Sequence, residues 1–302
     1  MSSPQTPGAR FIDPKVLSRI RNLELLAKTV VEGFINGLHR APYFGASIDF
    51  AEHRGYVPGD DIRRVDWKLY ARTDKYFVKQ YEADTNANFA ALVDISKSMS
   101  FASQGVSKLE YGSYVAACLA YLSHLQRDRV GITTFDEDVV SYVPSSAKHF
   151  HVLLHTLDRA KAERQGRLSA NITKIAEHFK RKSIIALISD LYEDPDDLLQ
   201  ALTPYRFMGH DVIVFHVLDP AEIDFPYRDA SRFQDLESGE EIPVIAESFA
   251  DEYRKMMQAH IEALTTKCAD VRIDYVLLNT SKPLDEALFA YLGNRERLMR
   301  VR

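Results

Sequence analysis

The sequence predicts an α/β fold, a mostly parallel central sheet with helices on both faces, preceded by an N-terminal helix and an irregular extension. Three observations predict it. From residue 87 onward, short strand-like runs alternate with stretches of helical periodicity, as parallel strands joined by crossover helices require. Phe89–Val93, Val130–Phe135, Ser183–Ser189 and Val212–Val217 are short and largely apolar, as strands buried on both faces are. Several of these runs stop at an acidic residue, namely Asp94, Asp190 and Asp219.

The elements follow in order. Residues 1–12 are a loose, Pro- and Gly-containing start. Asp13-Pro14 reads as a helix entry, with Asp as cap and Pro in the first turn. Leu17, Ile20, Leu23, Leu26, Val30 and Phe34 recur at helical spacing and predict one helix ending near Gly37. Residues 42–85 are irregular and dense in charge and turn residues. Arg54, Arg63, Arg64 and Arg72 are matched there by Asp60, Asp61 and Asp66, around Trp67, the single tryptophan. This composition predicts an ion-pair network pinning a long loop to the main domain. The alternative is a partner-docking surface of Arg54, Asp60, Asp61, Arg63, Trp67 and Arg72, since Arg and Trp are favoured at interface hot spots. Tyr76–Tyr81 alternates and reads as a strand.

In the main domain, Tyr111–Leu125 reads as a helix whose alanines allow close packing. Val139–Val143 is a short neighbour of Val130–Phe135, paired as a hairpin. Lys148–Leu157, Ile172–Phe179, Asp196–Phe207, Ser248–Lys267 and Leu284–Leu292 read as helices, and Val271–Leu278 as the last strand. Residues 1–85 form the extension and 86–302 the α/β domain, with an irregular insertion near 221–246.

Composition bounds the function. A net charge of −5 argues against a general nucleic-acid binder. Cys118 and Cys268 are far apart and form no Cys-x-x-Cys, so a zinc site is not expected and a reducing compartment is. The start of the chain lacks a signal-peptide core, and no apolar run reaches the length of a membrane span, so a cytoplasmic protein is expected. His149, His151 and His155 lie close together, but without a further ligand they read as a polar helix face.

Ligands of open α/β sheets bind outside the carboxyl ends of the strands. There the chain offers Asp94, Ser96 and Ser98 after the first central strand, Thr134 and Asp136 after the second, and Ser189-Asp190 after the third. Carboxylates and hydroxyls converging on one point suit a hard divalent cation such as Mg²⁺.

Asp94-x-Ser96-x-Ser98 together with Asp190 resembles the metal-ion-dependent adhesion site of von Willebrand factor A domains. The resemblance implies that Ser96 and Ser98 ligate Mg²⁺ (or Mn²⁺ or Ca²⁺) directly, while Asp94 and Asp190 act mainly through waters. It also implies a Thr from the loop Gly166–Ile172, where this chain has none. Ser169 or Asn171 can supply the oxygen, or the ligand is missing at Ala170. The run Arg54-Gly55-Tyr56-Val57-Pro58-Gly59-Asp60-Asp61-Ile62-Arg63, with Asp66-Trp67 and Ala71-Arg72-Thr73-Asp74, resembles the signature of the bacterial family known as domain of unknown function 58. So do His210-Asp211-Val212, Asp219-Pro220-Ala221-Glu222 and Phe233 to Gly239. That family implies a von Willebrand factor A-like domain with an N-terminal extension, and a MoxR-type AAA+ ATPase as partner, in assembly, metal insertion or stress response.

Three functions follow as expectations. The first is a metal-dependent binding module, in which the cation is completed by an acidic residue of a client protein. The second is a metal-assisted hydrolase using Asp94 or Asp190, against which stands the lack of a phosphate loop, a Gly-rich cradle or a His–Ser–Asp order. The third is a scaffold with a degenerate site. A non-enzymatic binding module is the expectation adopted.

Overall fold

Five parallel strands lie side by side, and an antiparallel sixth closes one edge. The computed structural model describes residues 13–20, 22–38, 53–55, 67–79, 87–227, 230–236 and 239–300. The described part of the extension holds helices α1 (Pro14–Leu17) and α2 (Leu23–Leu38), strand β1 (His53–Gly55), helix α3 (Trp67–Thr73) and strand β2 (Phe77–Lys79). The domain begins with β3 (Asn88–Asp94), a single 3-10 turn at Lys97–Ser100, and α4 (Lys108–Leu125). Strands β4 (Arg129–Phe135) and β5 (Val139–Ser146) form the expected hairpin, followed by α5 (Phe150–Asp158) and α6 (Leu168–Ala176). Then come β6 (Ser183–Ser189), α7 (Pro195–Phe207) and β7 (Asp211–Leu218). The insertion contains α8 (Pro220–Asp224) and the hairpin β8 (Ala230–Gln234) and β9 (Glu241–Ile245). The chain closes with α9 (Ala246–Asp270), β10 (Asp274–Asn279) and α10 (Asp285–Arg300).

The sheet order is β10-β7-β6-β3-β4-β5. Alternate strand residues feed opposite cores, as the pleat dictates. Phe89, Ala91 and Val93 of β3 face the core shared with α2, α4, α5 and α10, whereas Leu92 joins the core under α6, α7 and α9. Helix α4 is buried almost all round, which its small residues permit. A Cβ added at Gly112 would meet Ile188 Cγ2 at 3.0 Å, so the helix lies directly on β6.

The single N-terminal helix expected from the periodicity is broken in two. Asp13 caps α1 through a 2.8 Å bond from Lys15 N–H, and Asn22 accepts from Leu25 N–H at 3.0 Å to start α2. A local cap overrides a continuous apolar stripe. Leu26, Ala27, Val30, Val31 and Phe34 of α2 are buried in the same core as α4, so this part of the extension is built into the domain.

The insertion has its own small core. Phe225, in left-handed conformation (φ 45°), stacks on Phe233 at 5.3 Å and packs against Tyr227 and Tyr253. Asp60, Asp61, Arg63, Arg64 and Asp66 lie outside the described residues, and so does the ion-pair network expected there. Among the described residues no helix is long and apolar enough to cross a membrane.

Candidate functional site

Parallel pairing sets Val93 opposite Ile188, so β3 and β6 end together. The next residues meet: Ser189 Oγ donates to Asp94 Oδ2 at 2.6 Å. Asp94 Oδ1 accepts from Ser96 N–H at 2.8 Å, an Asx turn that folds the following loop back over the strand end. That turn brings Ser96 Oγ and Ser98 Oγ within 3.1 Å of each other. The loop before α6 flanks them, since Lys97 N–H donates to Arg164 C=O at 2.7 Å. Gly166 lies so close that a Cβ there would stand 2.8 Å from Ser96 Cβ.

Asp94, Ser96 and Asp190 are buried and Ser98 is half-buried. Burial first, and then the neighbouring Asp190 charge, push the Asp94 carboxyl up to about 7, although Ser189 and Ser96 hydrogen bonds pull the other way. Directly after Asp190, the buried Leu191 takes a left-handed conformation (φ 53°), which a bulky side chain rarely adopts. Its N–H donates to Ser189 Oγ at 3.1 Å, so the turn is held from the same hydroxyl that holds Asp94.

Asp190 is occupied. Its Oδ2 accepts from Lys108 Nζ at 2.7 Å, and the same ammonium reaches Glu222 Oε1 at 2.6 Å. Lys108 Nζ also lies 4.8 Å from the centre of the Tyr192 ring. Burial alone would pull the Lys108 ammonium down; Asp190 and Glu222 outweigh it and hold its pKa above the ordinary value. Glu222 is pushed up, chiefly by burial, against the pull of Lys108.

Ser169 is occupied as well. Its hydroxyl and N–H both bond to Glu193, whose other oxygen accepts from Leu168 N–H at 2.7 Å. Glu193 therefore caps α6, where the helix dipole favours a carboxylate. Asn171 donates to Asp136 C=O at 2.8 Å and to Arg167 C=O at 2.9 Å. Asn171 Oδ1 is buried without a hydrogen-bond partner among the described residues. Asp136 accepts from Arg164 Nε at 2.9 Å, and Thr134 is buried in β4.

Sequence reasoning missed Lys108, Glu193 and Glu222. Two signals were present: Asp219-Pro220-Ala221-Glu222 spells a capping box, and Ser107-x-x-Glu110 another, which puts Lys108 at the first position of a helix.

Of the docking-surface residues, Arg54 lies in β1 opposite Val78 of β2. Trp67 is 54% exposed and makes edge contacts with Tyr70 and Tyr76, and Arg72 is exposed. Asp60, Asp61 and Arg63 are outside the described residues. His151 and His155 face solvent on α5, and His149 Nδ1 bonds to Pro144 C=O at 2.7 Å.

The donor set fits a divalent cation at the serine pair. Adjacent ligands on a Mg²⁺ octahedron lie ~3 Å apart, close to the 3.1 Å between the two hydroxyls. Asp190 and Glu222 share one ammonium, and Asp94 stands close enough to Asp190 to feel its charge. Asp94 and Asp190, already bonded within the protein, fit roles through water. Among the described residues no cluster of three or more His, Cys, Asp or Glu side chains is arranged for a metal, so the candidate rests on hydroxyls.

Strand order and the antiparallel edge define a mixed α/β module with a mostly parallel central sheet flanked by helices. The chain belongs to the family described as "Protein of unknown function DUF58", which matches residues 52–263. It is 30% identical over 234 residues to uncharacterized proteins of Mycobacterium bovis and Mycobacterium tuberculosis, covering 75% of this chain and 73% of theirs. Among solved structures it is similar to the conserved hypothetical protein BatB from Bacteroides thetaiotaomicron, with TM-score 0.48 and 18% identity over 70% of this chain and 99% of that one. An aerotolerance-related membrane protein from Bacteroides fragilis gives TM-score 0.49 and 19% identity over the same shares, 70% and 99%. The SpRpn10 VWA domain gives 0.37 and 13% over 67% of this chain and 94% of that one.

Proposed function

We propose that the chain is a protein-binding module that holds Mg²⁺, or Mn²⁺ or Ca²⁺ in its place, at Ser96 and Ser98 and presents it to an acidic residue of a partner. The observation that carries the reading is the serine pair, 3.1 Å apart above a buried Asp94. When bound, the cation supplies an open coordination position for a carboxylate. Asp94 holds Ser96 in place through the backbone N–H, and Ser189 holds Asp94. The commitment of the rim carboxylates to loops and to Lys108 favours binding over proton transfer. The family resemblance supplies the partner class, a MoxR-type AAA+ ATPase acting in assembly, metal insertion or stress response.

The test is titration calorimetry with Mg²⁺ and Mn²⁺ on wild type and Ser96→Ala, followed by binding of a purified MoxR-type ATPase with and without EDTA. Binding heat in wild type that is lost in Ser96→Ala, and ATPase capture abolished by EDTA, are expected. Equal capture in both conditions would remove the metal from the interaction.

A further inference from the structure

Lys108 breaks two rules at once. It occupies the first position of α4, where the positive pole of the helix disfavours a cation, and its side chain is wholly buried. A residue kept against local preference marks a place where something else is gained. Here the gain is positional. One ammonium bridges Asp190, which belongs to the rim of the sheet, and Glu222, which closes the capping box of α8. The Tyr192 ring lies beside it.

We propose that Lys108 is a resident counter-ion that sets the cation affinity of the rim. It pairs with Asp190 and Glu222 when no metal is bound, and it opposes an incoming divalent ion by occupying Asp190 and by repulsion. This inference rests on the reading of Ser96 and Ser98 as cation ligands. An ammonium within hydrogen-bond reach of a site carboxylate weakens divalent binding, and in a buried setting the repulsion is little screened.

The test compares Mn²⁺ affinity, by titration calorimetry, in wild type, Lys108→Met and the double variant Lys108→Met/Glu222→Gln. Each is also unfolded in urea with and without Mn²⁺. The double variant removes one charge of each sign, so it keeps the net charge of wild type and leaves Asp190 as the single buried carboxylate without its ammonium. Lys108→Met is expected to bind Mn²⁺ about tenfold more tightly or better, consistent with removing a nearby like charge, and the double variant more tightly than wild type because Asp190 is released from Lys108. Their stability should depend on Mn²⁺ more steeply than that of wild type. If Lys108→Met does not fold, the double variant decides. Unchanged or weaker affinity there overturns the role of Lys108 while leaving the cation reading of the wild type intact. Mn²⁺ binding by the double variant alone upholds Lys108 and removes cation loading from the wild type. Binding by none of the three removes both.

Discussion

Ser189 and Asp94 lie 95 positions apart and are joined by a 2.6 Å hydrogen bond across neighbouring strand ends. The same serine hydroxyl accepts from Leu191 N–H, so one side chain fixes both the carboxylate of the first loop and the turn that follows Asp190. The arrangement of the rim depends on this bridge, and its energetics can be measured.

The Asp94 carboxyl, ordinarily near 3.8, sits at about 7 in the folded protein. Between those values the folded state retains a proton that the unfolded chain has released. Without divalent cation, the Asp94 contribution should therefore fall as pH rises through that window, by up to ~1.4 kcal/mol per pH unit. Asp285, raised to about 6 mainly by burial, acts in the same sense. Urea unfolding at several pH values, with Asp94→Asn as the comparison, isolates the share of Asp94. An identical slope in the two proteins would contradict the placement.

Removing Asp190 leaves Lys108 with Glu222 as its remaining carboxylate partner in the described contacts. Breaking a buried ion pair from one side costs about 3–5 kcal/mol. Asp190→Ala should lose stability on that scale in chemical denaturation, and Asp190→Asn less.

Gly166→Ala would place a methyl 2.8 Å from Ser96 Cβ and 3.3 Å from its hydroxyl oxygen. Overpacking of this kind costs about 1–3 kcal/mol, and here it displaces the serine loop or its neighbour. A lower melting temperature is expected together with loss of any Mg²⁺-dependent thermal shift.

Glu193→Ala should uncap α6, releasing Leu168 N–H and both groups of Ser169. Loss of an equivalent cap costs about 0.5–2 kcal/mol. Hydrogen exchange should show faster opening at Leu168 and Ser169, with β3 and β6 unaffected.

The central strands were legible because burial on both faces demands apolar runs, and Phe89–Val93 and Ile184–Ile188 supply them. Asp94 and Asp190 were legible as neighbours on one rim because each ends such a run. Helix boundaries were less legible where distant groups set them. The sequence pattern starts a helix at Ile172, but α6 begins at Leu168 because Glu193, from the loop after β6, caps it there. Lys108 was hidden for a similar reason. Its partners come from the loop after β6 and from α8, and only the parallel register with the return of α8 brings them to the start of α4. The oxygen sought in the loop Gly166–Ile172 is present as Ser169, but its bonds go to Glu193.

Pro144 lies within the outermost strand, β5, where a register shift interrupts the pairing with β4. Proline carries no amide proton, so the row of donors along that border has a gap in its middle. Another extended segment laid against β5 would find no continuous ladder to join. The sheet is thereby discouraged from growing sideways into filaments or strand-swapped pairs at this border.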